Sequence, residues 1–177
     1  MIVSEKSRVA TVRLLLKYGA DINALNDELR TSLKVTTNEP VSFFKNEIIL
    51  EKRLETVRLL LRHEAHVNDS RTSQSALFAA ICFSSTDMIS LMLNADATIW
   101  NHNHEAALRY AYVANLKMKL KRRLEIMRLL LTNDANINDN SDWYDLVLTS
   151  IALNRNFELK HKLIIIRFLL EHDAAVN

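Results

Sequence analysis

Residues Val57 to Asn68 read VRLLLRHEAHVN, and this stretch decides the fold. An apolar helical run reaches a helix stop, and an alanine, a β-branched residue and an asparagine follow. The same line returns as VRLLLKYGADIN from Val12, ISLMLNADATIW from Ile89, MRLLLTNDANIN from Met127 and IRFLLEHDAAVN from Ile166. The five starts are 45, 32, 38 and 39 residues apart. The alanine is Ala20, Ala65, Ala97, Ala135 or Ala174, and the β-branched residue is Ile22, Val67, Ile99, Ile137 or Val176. Self-similarity at such a period marks a repeat array.

Between these copies lies a weaker helical line: TSLKVT from Thr31, SALFAA from Ser75, AALRYA from Ala106 and YDLVLT from Tyr144. Its third residue is always leucine: Leu33, Leu77, Leu108 and Leu146. Each repeat therefore reads as turn, inner helix, loop, outer helix. The pattern resembles the ankyrin repeat, through the outer-helix line with its ADIN-like tail. The inner line resembles that family's T-P-L-H-x-A only in part, in Thr31-Ser32-Leu33 and Ser75-Ala76-Leu77-Phe78-Ala79-Ala80. Other helical hairpin repeats, tetratricopeptide or HEAT, leave the alanine, β-branched residue and asparagine unexplained.

The expected architecture is an all-α, ankyrin-like helical-hairpin solenoid of about 4.5 repeats in one domain over residues 1–177. The repeats fall at about 1–23, 24–68, 69–100, 101–138 and 139–177. Neither end carries a recognisable polar cap, so the array is expected to continue or to pack on something.

The helix stop is Gly19 in the first copy but Glu64, Asp96, Asp134 and Asp173 in the others. A left-handed residue is expected at each, with Glu64 the poorest fit. Leu77 to Ile89 is 12 residues, whereas Leu33 to Val57 is 24, Leu108 to Met127 is 19 and Leu146 to Ile166 is 20. The added residues thus lie between the two helices of a repeat. An apolar line at i, i+4, i+7, i+11 runs through them: Leu50, Leu54, Val57, Leu61; Leu120, Leu124, Met127, Leu131; Leu159, Leu163, Ile166, Leu170. It predicts a buried seam and three outer helices extended by about two turns.

The 177 residues hold one glycine and one proline, where about twelve and nine are usual. Tight β-hairpins draw on glycine, so barrels and sandwiches are excluded. The net charge of +2 is too mild to imply nucleic acid or membrane. No secretory signal is visible, and no apolar run approaches the roughly 20 residues of a spanning helix. The single cysteine, Cys82, lies in SALFAAICF and reads as a buried structural thiol of a reducing compartment. An intracellular, cytoplasmic protein is expected.

No residue set supports catalysis, and no cofactor is expected. His102 and His104 with Glu105 sit in a turn, but no further cysteine or histidine pair completes a zinc pattern, so no metal is assigned. Lys117, Lys119, Lys121, Arg122, Arg123 and Arg128 form a basic run on one helix; it reads as a solvated face that an acidic partner can use. Without interleaved aromatics a nucleic-acid site is not expected there; as a third reading it would show a steep salt dependence of binding.

The resemblance implies recognition of a protein partner through turn tips and inner helices. The tips are Asn26 to Glu28, Ser70 to Thr72, Asn101 to Asn103 and Asn140 to Asp142. Inner-helix positions expected to face outward are Lys34, Phe78, Arg109 and Asp145. Candidate partner-binding residues are Arg71, Phe78, Asn101, His102, Arg109, Asp142, Trp143 and Tyr144, with Lys117, Lys121 and Arg122 on the basic helix. Arg109 and Trp143 are the preferred anchors by residue type. A different class remains open: a spacer or regulatory segment of a larger protein, without binding of its own. The short third repeat suggests a notch floored by Ser84-Ser85-Thr86, between Ile48 to Arg53 and Leu116 to Arg123, either open to an acidic segment or filled by the insertion loop with Phe43 and Phe44.

Overall fold

A computed structural model describes residues 2–27, 30–37, 47–68, 75–98, 107–113, 118–135, 147–155 and 157–174. The chain divides into two compact bodies, residues 1–98 and 99–177, at the end of the third repeat. All regular structure among the described residues is helical.

In the first body α1 (Ile2–Lys17), α3 (Glu47–Arg62) and α5 (Thr86–Leu93) form an outer row. The inner helices α2 (Ser32–Thr37) and α4 (Ala76–Phe83) pack on each other; α2 also packs on α3, and α4 on α5. In the second body α6 (Ala107–Val113) packs on α7 (Leu120–Leu131), α8 (Val147–Leu153) on α9 (Leu159–Leu170), and α7 on α9. This is the expected helical-hairpin arrangement.

The repeated letters have local causes. Thr31 and Ser75 precede the inner helices, and their hydroxyls accept the backbone N–H of Lys34 at 3.3 Å and of Phe78 at 3.4 Å. The third-position leucines Leu33, Leu77 and Leu108 are fully buried. Every outer helix ends in a left-handed residue: Gly19 (φ 77°), Glu64 (65°), Asp96 (57°), Asp134 (63°) and Asp173 (64°). The alanine that follows donates its N–H to the carbonyl five residues back, as Ala65 does to Leu60 at 3.1 Å and Ala97 to Met92 at 3.0 Å. Its small side chain is buried from the second repeat onward.

Glu64 has the largest side chain of the five in this conformation. Glu64→Gly is expected to stabilise the protein by about 1 kcal/mol, and Gly19→Ala to destabilise it by about as much. A Cβ on Gly19 meets no atom within 4 Å, so only backbone strain is at issue there. Urea melts of the two variants check both signs.

Two expectations on the outer helices need correction. α3 has 16 residues against 8 in α5, two turns more, but α7 and α9 have 12 and gain only about one. The rest of the added residues precede α7 and α9. The buried seam is also rotated back by one residue. In α3 the buried residues are Ile49, Arg53, Leu54, Thr56, Val57 and Leu60; in α7 they are Arg123, Ile126, Met127 and Leu130; in α9 they are Ile165, Phe168 and Leu169. Of the expected line, Leu54, Val57 and Met127 are buried as expected, and its other leucines run along the flank of each helix.

Lys34 and Phe78 are buried too, against the expectation that they face outward. The cause for Phe78 is that α4 is apolar all round, and seven of its eight residues are buried. Burial, and then nearby Arg30, hold the Lys34 ammonium below the usual lysine range. Cys82 is a buried free thiol, as expected.

Candidate functional site

The described part of the inner face begins at the turns. The first tip closes on itself: Asn26 donates its N–H to the Arg30 carbonyl at 3.0 Å, and its side-chain oxygen accepts from the Arg30 N–H at 2.9 Å. Successive turns are then tied by asparagine side chains. Asn23 Nδ2 donates to the Glu64 carbonyl at 3.2 Å, and its Oδ1 accepts from the His66 N–H at 2.7 Å. One repeat later Asn68 Nδ2 donates to the Asp96 carbonyl at 2.8 Å, and its Oδ1 accepts from the Thr98 N–H at 2.7 Å. Each asparagine thus satisfies both a donor and an acceptor of the next turn, which explains why the residue recurs.

Asn68→Ala is expected to cost about 1–2 kcal/mol, the net worth of two such bonds. A stability unchanged within about 0.5 kcal/mol would show that Asn68 does not hold the turns together.

Behind the first turn, Asn26, Arg30, Ser32, Val35 and Thr36 line an open concavity of about 460 Å³. It lies between the tip and α2.

The ends of the inner helices carry a device that the sequence analysis missed. Arg53 of α3 is buried and donates Nη2 to the Thr36 carbonyl at 2.7 Å. Arg123 of α7 is buried and donates Nη1 to the carbonyls of Ala111, at 2.7 Å, and Tyr112. Lys162 of α9 donates Nζ to the Ala152 carbonyl at 2.7 Å. All three occupy one register, four residues before Val57, Met127 and Ile166. Each supplies a cation to the carbonyls that close the partner inner helix, which the last turn of a helix leaves exposed. The signal was legible: each of the three long repeats has a basic residue there, and the short one has Ser85. Ser85 instead caps α5, accepting the Met88 N–H at 3.3 Å. In that repeat Ser84 Oγ reaches back to donate to the Thr37 carbonyl at 2.6 Å.

Arg123 therefore does not belong to the solvated basic face. Burial pulls its pKa down to about 10, still far enough above neutrality to keep it charged. Its guanidinium stacks on Phe157, 4.9 Å from the ring centre. Lys121 does project into solvent, 3.9 Å from Glu125. Arg128 lies 5.5 Å over the Phe168 ring. Arg122 is half-buried on the same helix.

Arg109 lies on α6, and nothing is described of its side chain. Arg71, Asn101, His102, Asp142, Trp143, Tyr144 and Lys117 lie outside the described residues, as do His104, Glu105 and Asp145. So do the loop before Glu47 and Leu116 of the expected notch. Among the described residues no three histidine, cysteine or carboxylate groups come together to hold a metal. No described helix is long and apolar enough to cross a membrane.

A family model for ankyrin repeats, in three copies, matches residues 47–141. The crystal structure of the human ASB11 ankyrin repeat domain is similar, with a TM-score of 0.64 at 22% identity. The match covers 97% of this chain and 67% of that one. No curated protein matches in sequence.

Proposed function

Since the chain belongs to the ankyrin repeat family, whose members are generally protein–protein interaction modules, we propose that it recognises a protein partner without catalysing a reaction. The observation that carries this reading is the open concavity between the first tip and α2, in a row of turns tied by Asn23 and Asn68. A surface fixed before binding spends little ordering entropy on the partner, so modest contacts suffice.

In this reading the tip residues Arg71, Asn101, His102, Asp142, Trp143 and Tyr144, with Arg109 of α6, contact the partner. Lys121 and Arg122, with Lys117, favour acidic side chains at its edge. Phe78 leaves the set because it is buried. The protein works inside the cell, in the cytoplasm, in keeping with its single buried thiol.

The test is affinity capture from source-cell extract with the chain and with Arg109→Ala/Trp143→Ala, both shown to be folded. A protein retained by the first and reduced about tenfold with the second supports the reading. Capture unchanged by the double substitution overturns the assigned residues. No capture by the folded chain favours a spacer or regulatory role.

A further inference from the structure

The residues added before α7 and α9 build a cavity of their own. Met118, Lys119, Leu120 and Arg123 of the fourth repeat line it on one side. Phe157, Glu158, His161 and Ile165 of the fifth repeat line it on the other. In the short third repeat α5 starts at Thr86, three residues before Ile89. The equivalent positions in the long repeats are Leu124 and Leu163, and all the described lining residues except Ile165 precede them. The cavity is therefore a product of the insertions. It lies at the starts of α7 and α9, a helix length of roughly 18 Å from the stops that lead into the turns.

Its volume is about 220 Å³. Small-molecule and cofactor sites run to roughly 300–1,000 Å³, so a nucleotide is too large and a single residue is the right size. Half of the lining is apolar: Met118 and Ile165 are buried, and Leu120 and Phe157 are half-buried. The polar half favours an anion. Lys119 and Glu158 are exposed, His161 is half-buried and Arg123 is buried. The carbonyls that Arg123 bonds are neutral and leave its charge in place. Two cations thus stand against one carboxylate in the described lining. Both helix starts also border the cavity, and neither Lys119 nor Glu158 makes a capping bond there.

An occupant must combine an apolar group with a negative charge inside the volume of one residue. An acidic side chain brings the charge without the apolar group, and an internal apolar residue brings no charge. The last residue of a polypeptide brings both. We infer that this cavity takes the C-terminal residue of a partner chain, an aromatic or branched apolar one, with its side chain against Phe157 and Ile165 and its carboxylate toward Lys119 and His161. The described lining includes no residue of α6 or α8, so the inference does not rest on recognition through the inner face.

The test is an amide NMR titration of the chain with four peptides: acetyl-Gly-Gly-Phe, its C-terminal amide, acetyl-Gly-Gly-Gly, and acetyl-Gly-Phe-Asp-Gly amide. The first should bind with a Kd of about 1 mM, as befits one anchored residue, with the largest shifts at residues 118–123 and 157–165. The other three lack the charge, the ring, or the union of both in one residue, and each should bind at least about tenfold more weakly. Lys119→Glu, at an exposed position, should weaken the first peptide by at least about tenfold. Glu158→Gln should tighten it about threefold, a gain that a damaged fold does not give. Lys121→Glu, on the same helix but outside the cavity lining, should leave it within about twofold. Circular dichroism melts confirm that the variants fold. Absence of localised shifts with up to about 20 mM of the first peptide overturns the inference. So does equal binding of its amide or of the internal sequence, or equal weakening by Lys119→Glu and Lys121→Glu.

Discussion

Phe78→Ala is expected to destabilise the protein by about 3–5 kcal/mol, the usual cost of emptying a buried aromatic site. Phe78 has no exposed surface and sits in α4 among Leu77, Ala79, Ala80 and Ile81, all equally buried. The helix offers no polar face that could turn toward the gap, so collapse around the lost ring is limited. At this chain length the loss lowers the melting temperature by about 10 °C. A surface anchor behaves in the opposite way. If Phe78→Ala melts within about 0.5 kcal/mol of the parent and loses only binding, the residue faces a partner and the burial described above is wrong.

Arg123→Met is expected to cost about 3 kcal/mol, although methionine fills much of the same space and removes a buried charge. Exchanging a buried ion for an apolar side chain is often harmless when its partners leave with it. Here the partners are the backbone carbonyls of Ala111 and Tyr112, which stay behind at the end of α6. Stranding buried acceptors costs about 1–3 kcal/mol each, and the stacking on Phe157 is lost as well. Arg123→Lys keeps a cation in reach, as Lys162 does for Ala152, and should lose about half as much. With a folded-state pKa of about 10 the arginine is charged in both folded and unfolded states near neutrality. The penalty should therefore hold constant from about pH 5 to about pH 9. Guanidinium melts of the two variants give the comparison; equal stability of Arg123→Met and the parent would show that the carbonyls find other donors.

Much of this was legible in the sequence. The outer-helix line marks its own end because three physical demands meet there: a left-handed residue, a small buried alanine and an asparagine that ties the next turn. The first two are local, and the third reaches only the adjacent repeat. The core-facing side of the long outer helices was not legible by hydrophobic spacing. Its line contains Arg53, Arg123 and Lys162, whose partners are carbonyls of another helix, and Thr56, which bonds the Lys52 carbonyl of its own. A search for apolar periodicity rejects them and settles on the flanking leucines one residue later. The length of α7 and α9 was overestimated for the same reason, since the leucine line gives no sign of where the connection from the inner helix ends. Phe78 was the reverse case. Family likeness pointed it outward, while the unbroken apolar run around it already spoke for burial.

The candidate recognition residues rest on place and type alone, as tips and inner-helix positions; Asn26 with Arg30 shows one such tip closed by its own hydrogen bonds. Surfaces open to solvent on the outer helices of the second body are the basic side of α7 and the leucine face of α9. These are the natural competitors for a partner.

Amide hydrogen exchange of the chain, alone and with the captured partner, separates the two possibilities directly. Protection gained at the turn tips and along α2, α4 and α6, with α7 and α9 unchanged, is the result predicted for recognition through the inner face. Protection confined to α7 and α9, with the tips and inner helices exchanging as in the free chain, would contradict it.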